Sequence, residues 1–231
     1  MSKIVVVLTA ADTLPLADGT GHRTGFWAEE FVVAHRTLVS AGHDVSIATP
    51  GGKPAPVDPG SVNPAVVGEK AADEFATYLE SVAGELANPR DLASISASDV
   101  DAIVFPGGHG PMVDLAVDPA LGALLNAADA AGTIIAPFCH GPAALLSARR
   151  ADGSFTFSGR RMTSFTDAEE QAGGVAGMQW LLASRLREEG AILEAGPAFS
   201  SFVVTDGNLI TGQNPQSSQE VSDAVLAALR G

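Results

Sequence analysis

The sequence predicts an α/β fold: a three-layer sandwich whose central sheet is mostly parallel and covered by helices on both faces. Three observations lead there. Short apolar runs alternate with stretches of helical periodicity, the pattern of repeated βαβ units. Runs such as Ile4-Val5-Val6-Val7 contain no polar alternation, so a strand built from them is buried on both sides. The chain of 231 residues, 46% hydrophobic and 17% charged, has the apolar material for a large core and too much of it for a disordered segment.

In chain order, the first strand is Lys3–Leu8. Phe26–Ser40 follows as a helix, because Trp27, Phe31, Ala34 and Leu38 recur at helical spacing and Gly42 supplies a stop. Asp44–Thr49 is the next strand. The chain, 1–231, reads as one domain with an insert at about 50–98. The insert opens on Pro50-Gly51-Gly52-Lys53-Pro54 and regains a pattern at Lys70–Leu86. Strands return at Asp101–Phe105 and Thr133–Pro137. Between them lies a helix over Pro119–Ala131, capped by Asp118 and with proline in its first turn. A long helix is expected over Asp167–Glu188, with Met178–Gly190 as its continuous amphipathic end. Phe199–Thr205 reads as a strand, and Asp206-Gly207 between apolar runs predicts an antiparallel hairpin at a sheet edge. Val221–Leu229 closes the chain as a helix.

The charge balance, 13 Lys+Arg against 27 Asp+Glu, gives a net −14. So acidic a surface repels phosphate backbones and anionic membranes, which argues against nucleic-acid or membrane partners. No apolar run approaches the ~18 residues of a membrane span. A single cysteine forms no internal disulfide and fits a reducing compartment. Met1-Ser2-Lys3 runs straight into the first strand without a secretory signal pattern, so a cytoplasmic address is expected. The five histidines, His22, His35, His43, His109 and His140, show no helix-borne metal spacing, and one cysteine cannot build a zinc site, so no metal is expected.

Thr133-Ile134-Ile135-Ala136-Pro137-Phe138-Cys139-His140-Gly141-Pro142 is the most informative stretch. Cys139 falls where a strand turns sharply into an Ala/Leu-rich helix opened by Gly141-Pro142, the placement of a nucleophile elbow. A side chain there projects from the carboxyl edge of the sheet, where open α/β folds bind ligands. The helix N-terminus favours thiolate over thiol, and turn N–H groups are free to hold an oxyanion. Phe105-Pro106-Gly107-Gly108-His109-Gly110 repeats the strand-to-turn geometry, with Gly107 and Gly108 able to approach a ligand closely. The N–H groups of Gly108 and His140 are the expected oxyanion donors, and His109 a pocket residue.

These two turns resemble the ThiJ/PfpI superfamily, and more closely its heat-inducible chaperone and glutathione-independent glyoxalase III branch. Four further segments carry the likeness along nearly the whole chain: Thr24-Gly25-Phe26-Trp27-Ala28-Glu29-Glu30, Asp58-Pro59-Gly60-Ser61, Ser164-Phe165-Thr166-Asp167-Ala168-Glu169-Glu170, and Thr205-Asp206-Gly207 through Gln213-Asn214-Pro215. The resemblance implies a flavodoxin-like class I glutamine amidotransferase fold and a homodimer. It implies Cys139 as nucleophile, His140 beside it, Glu30 as the acid facing the sulfur, and Glu170 as the acid orienting His140. An acid beside a thiolate should stay protonated, because adjacent negative charges are disfavoured. Glu29 is about 100° from Glu30 around the helix and is assigned to solvent. Trp27 and Phe165 are candidates for the pocket wall. Sequence adjacency suggests that the Cys139 and His140 side chains diverge. Where relatives carry a His-Pro pair after the Glu30 position, this chain has Phe31-Val32-Val33-Ala34, with His35 displaced.

The reading that follows is an enzyme acting on small reactive carbonyls, a glyoxalase III-like lyase converting methylglyoxal to lactate with no cofactor. An amidase or peptidase is the hydrolytic alternative. No histidine follows His140, and none of Lys3, Lys53 and Lys70 lies near a strand end beside the elbow, which argues against the usual amidase partners; a peptidase triad completed by a neighbouring subunit stays open. Two non-hydrolytic alternatives remain: a stress chaperone using Val57, Val62, Val66 and Val67 of the insert, and a redox sensor at a low-pKa Cys139.

Overall fold

The computed structural model describes residues 1–230. The chain begins with β1 (Lys3–Val7), whose residues alternate between two cores: Val5 and Val7 face one, Ile4 and Val6 the other. That alternation, with both faces apolar, is what makes β1 a central strand. A short hairpin, β2 (Thr13–Pro15) and β3 (Gly21–Arg23), leads to α1 (Ala28–Ser40) and then to β4 (Asp44–Thr49), parallel to β1. Residues 50–98 hold α2 (Pro64–Val67), α3 (Glu69–Ser81), α4 (Ala83–Ala87) and β5 (Arg90–Asp91). β5 pairs with β4 at the sheet edge, and Phe75 of α3 joins the core of α1.

The chain then crosses to the other side of β1. β6 (Ala102–Phe105), α5 (Pro119–Ala131) and β7 (Ile134–Pro137) form a βαβ unit, the Asp118 side chain accepting the Leu121 N–H and Gly132 ending α5 in the left-handed conformation. β8 (Arg161–Met162), α6 (Asp167–Gly173), α7 (Leu182–Glu188) and β9 (Ile192–Leu193) follow. The hairpin β10 (Val203–Asp206) and β11 (Leu209–Gly212) and the helix α8 (Ser218–Ala228) complete the fold. The seven-stranded sheet runs β10-β11-β7-β6-β1-β4-β5, parallel except for the β10–β11 hairpin. α1, α3 and α8 cover one face; α5 and α7 cover the other. The connections leave β1 and β6 in opposite directions, so a crevice opens at their carboxyl ends, where ligands bind in such sheets.

Three expected elements differ. Asp167–Glu188 is two short helices, because Gly173-Gly174 and Gly177, the last at φ 76°, break the ladder. Met178 instead bridges to Leu16 outside any helix. The segment after Cys139 is a 3₁₀ helix over Gly141–Ser147. The strand expected from Phe199 starts only at Val203, since Phe199 has φ 56° and cannot be extended. Among the described residues, no helix is long and apolar enough to cross a membrane.

Candidate active site

Cys139 sits at φ 57°, a left-handed conformation that costs a non-glycine residue of order 1–3 kcal/mol. Two backbone bonds enforce it: the Cys139 N–H donates to Gly212 O at 2.9 Å, and its carbonyl accepts the Phe165 N–H at 2.8 Å. The strained turn holds the thiol above the ends of β6 and β7. Gly107 and Gly108 pass beneath it. A Cβ on Gly107 would lie 2.5 Å from His140 N, 3.0 Å from Cys139 Cβ and 3.1 Å from Glu30 Oε2, so the close approach requires glycine.

The N-terminus of α1 delivers Glu30. It is fully buried, its Oε2 accepts the Gly107 N–H at 2.5 Å, and its Oε1 has no hydrogen-bond partner. Burial is the main cause that pushes its pKa up to about 8, with the Gly107 and Cys139 hydrogen bonds opposing, so Glu30 is a neutral acid at pH 7. Burial, and then the Glu30 charge, also push the Cys139 thiol well above its ordinary value, although the N–H groups of Gly108 and His140 point at the sulfur and pull the other way. The expectation of a resting thiolate, and of a low-pKa redox thiol, is therefore corrected: desolvation outweighs the turn's N–H groups.

On the other side of the sulfur, His140 Nδ1 is 3.4 Å from Sγ. The two side chains converge rather than diverge, although they are neighbours in sequence. His140 Nε2 lies 2.7 Å from Glu170 Oε2, and His109 Nε2 lies 3.0 Å from Glu170 Oε1, which also accepts the Val175 N–H at 2.8 Å. Burial raises the Glu170 carboxyl, but the hydrogen bonds from His109 and His140 outweigh it and hold the group well below the usual range. A carboxylate only accepts, so both histidines donate from Nε2. Burial, helped by the His109 ring, draws the His140 pKa down to about 4 and keeps it neutral. Its Nδ1 lone pair then faces the thiol.

Glu170 reaches the site because α6 starts at a capping box, Thr166 with Glu169. A cavity of about 510 Å³ opens above Cys139. Trp27, Glu29, Gly108, His109, Phe165 and Phe199 are among its walls. Glu29, expected in solvent, is half-buried there, and burial raises its pKa. Val66 and Val67 of the insert, two of the candidate chaperone residues, line the same cavity, and Val66 is also exposed. His35 does not; it is buried between α1 and α3, stacked on Phe31 and bonded to the Tyr78 hydroxyl at 2.9 Å. Phe199, Phe75 and Glu169 escaped sequence reasoning. No local pattern marks a left-handed Phe199, and nothing in the sequence sets Glu169 apart from Asp167 and Glu170 in the same helical turn.

Among the described residues, His109, His140 and Glu170 bring three potential metal-ligating atoms within 4.8 Å of one another. Spacing along the chain could not show this, since each comes from a different turn. Both Nε2 atoms are engaged with Glu170 in this arrangement.

Comparison with known proteins decides the ancestry of the site. The profile of the DJ-1/PfpI family matches residues 23–228. The chain belongs to the DJ-1/PfpI family. It is 26% identical to glyoxalase 3 of Candida albicans over 99% of this chain and 98% of that protein. It is 27% identical to the glutathione-independent glyoxalase hsp3101 of Schizosaccharomyces pombe, over 89% of this chain and 88% of the relative. The crystal structure of glyoxalase III from Candida albicans superposes with a TM-score of 0.83 at 25% identity, covering 98% of this chain and 97% of that one. The parallel sheet and helix layers described above are thus those of DJ-1/PfpI-type folds.

Proposed function

We propose that this chain is a glutathione-independent glyoxalase, converting 2-oxoaldehydes such as methylglyoxal to 2-hydroxy acids, with Cys139 as nucleophile. The observation that carries the reading is the division of labour around one buried thiol: a neutral acid, Glu30, on one side and a neutral base, His140 oriented by Glu170, on the other. The names of the similar proteins agree with it.

His140 Nδ1 takes the thiol proton as Sγ bonds to the aldehyde carbon, C1. The C1 oxygen, held by the Gly108 and His140 N–H groups, takes that proton back from His140 and becomes the hydroxyl of a hemithioacetal. His140 then removes the C1 hydrogen as a proton while Glu30 protonates the C2 oxygen, which gives an enediol. His140 returns its proton to C2, and the C1 hydroxyl proton passes to Glu30, which leaves a thioester on Cys139. Water hydrolyses the thioester to the 2-hydroxy acid and regenerates the thiol. The sum is the addition of one water, with no external oxidant or reductant, so the chemistry runs on these side chains without a cofactor.

The test is lactate formation from methylglyoxal by the purified chain without glutathione. Lactate formation at enzymatic rates is the expected result. Its absence from a folded preparation overturns the reading.

A further inference from the structure

The cavity is larger than methylglyoxal requires. About 510 Å³ falls in the range that holds drug-sized ligands, roughly 300–1,000 Å³. Cys139, His109 and His140 supply polar groups to the cavity, together with Glu29 and Gln216. Large apolar and aromatic side chains make up much of the remaining lining: Trp27, Val67, Phe75, Phe165 and Phe199. Among the described lining residues there is no Lys or Arg, and the one carboxylate is Glu29. An anionic substituent would find no cation there and would leave water unpaired, which is costly.

Phe199 stands out among the walls. It is 43% exposed, yet it is fixed in the left-handed conformation at φ 56°. Its N–H donates to Glu169 Oε1 at 2.7 Å. Glu169 is fully buried; Oε1 also takes the Asn214 Nδ2 at 2.8 Å and the Gln213 Nε2 at 3.1 Å, and Oε2 takes the Thr166 N–H and hydroxyl at 3.0 and 2.8 Å. One buried carboxylate therefore ties the strained Phe199 backbone to the start of α6, the helix that carries Glu170. The Phe199 ring meets Phe165 edge-on at 6.4 Å, and Phe165 packs on the His140 ring at 4.7 Å. This row of rings runs from the reacting centre to the cavity mouth. A strained backbone holding an exposed aromatic ring over a pocket marks a surface shaped for a ligand.

Resting on the glyoxalase reading for its chemistry, we propose that the site selects neutral 2-oxoaldehydes with an apolar substituent larger than methyl, recognised by the Phe165–Phe199 wall. The carbonyl end lies at Cys139, and the substituent extends along the two rings. Glu169 is the positioning residue that holds Phe199 in place.

The experiment compares kcat/KM for methylglyoxal, phenylglyoxal and 4,5-dioxopentanoate, the last bulky but anionic, in wild type and Phe199→Ala. Phenylglyoxal should exceed methylglyoxal by about tenfold or more, the discrimination that apolar pockets reach, and 4,5-dioxopentanoate should be the poorest. In Phe199→Ala the phenylglyoxal-to-methylglyoxal ratio should fall at least about fivefold. A wild-type preference for methylglyoxal or for the anion, or an unchanged ratio in the variant, overturns the proposal. Labelling of the single cysteine by iodoacetamide separates this claim from the glyoxalase reading. Acetophenone should protect Cys139 at concentrations about tenfold below those needed for acetone, and Phe199→Ala should erode the difference. Protection without any turnover would sink the glyoxalase reading and leave the apolar wall standing; equal protection by the two ketones overturns the wall.

Discussion

Two carboxyl groups serve one sulfur, Glu30 directly and Glu170 through His140, and they differ in protonation: one is neutral, the other ionised. Glu30 and Glu170 are both buried glutamates in the first turn of a helix. Glu30 has a single backbone donor and an orphaned oxygen, so burial wins and its pKa rises to about 8. Glu170 has two imidazole donors and a backbone N–H, so hydrogen bonds win and it stays ionised. The number of donors at each carboxyl accounts for which one keeps its proton in a shared pocket.

The comparison breaks most visibly at Glu170. In Glu170→Gln a neutral amide replaces the acceptor shared by His109 and His140. The His140 tautomer is then no longer fixed, and kcat/KM for methylglyoxal should fall about 10²–10⁴-fold, the usual worth of a positioned proton-transfer group. Steady-state kinetics checks this; a loss under tenfold would mean that His140 needs no orienting anion.

Glu30→Gln sharpens the other half. The neutral isostere keeps an acceptor for the Gly107 N–H but cannot give up a proton, so kcat should fall about 10²-fold or more. Stability should move the other way. The folded Glu30 pKa, about 8, is above the ordinary 4.5, so between these values the native state holds a proton the unfolded state has lost. Wild-type stability from this group therefore falls as pH rises across that window, by roughly 1.4 kcal/mol per pH unit at most. Denaturant titrations should show Glu30→Gln gaining on wild type from pH 5 to pH 8 and no further above it. A constant difference would mean that Glu30 is ionised in the fold.

His109→Gln is the smallest perturbation. The amide can still donate to Glu170 Oε1, and His140 keeps its own bond, so kcat/KM should drop only about tenfold. A loss as large as that of Glu170→Gln would make His109 a direct participant in proton transfer.

What the sequence disclosed follows from the range of the forces involved. Ile4–Val7 and Ile134–Pro137 were readable as strands because burial on both faces demands unbroken apolar runs. The Asp206-Gly207 hairpin and the Asp118-Pro119 helix start were readable because turn and cap chemistry is local. The elbow was readable as a turn, but its electrostatics were not: whether Cys139 rests as thiol depends on how deeply Glu30 and the β6 turn bury it. The convergence of His109, His140 and Glu170 joins three separate loops. Phe199 was invisible for the same reason, since its left-handed backbone is imposed by Glu169, thirty residues earlier. Residues 167–188 were misread because amphipathic spacing outweighed Gly173-Gly174 in a sequence reading, while in the fold the glycines let the chain turn away and α6 end beside the cavity.

The most direct test of the central claim, that substrate is processed while bonded to Cys139, is intact-protein mass spectrometry after acid quench during methylglyoxal turnover. The account requires a mass increase of one methylglyoxal on the wild-type chain, mapped to Cys139 and absent, together with turnover, in Cys139→Ala. Lactate formation by Cys139→Ala at the wild-type rate, with no adduct in either protein, would contradict it.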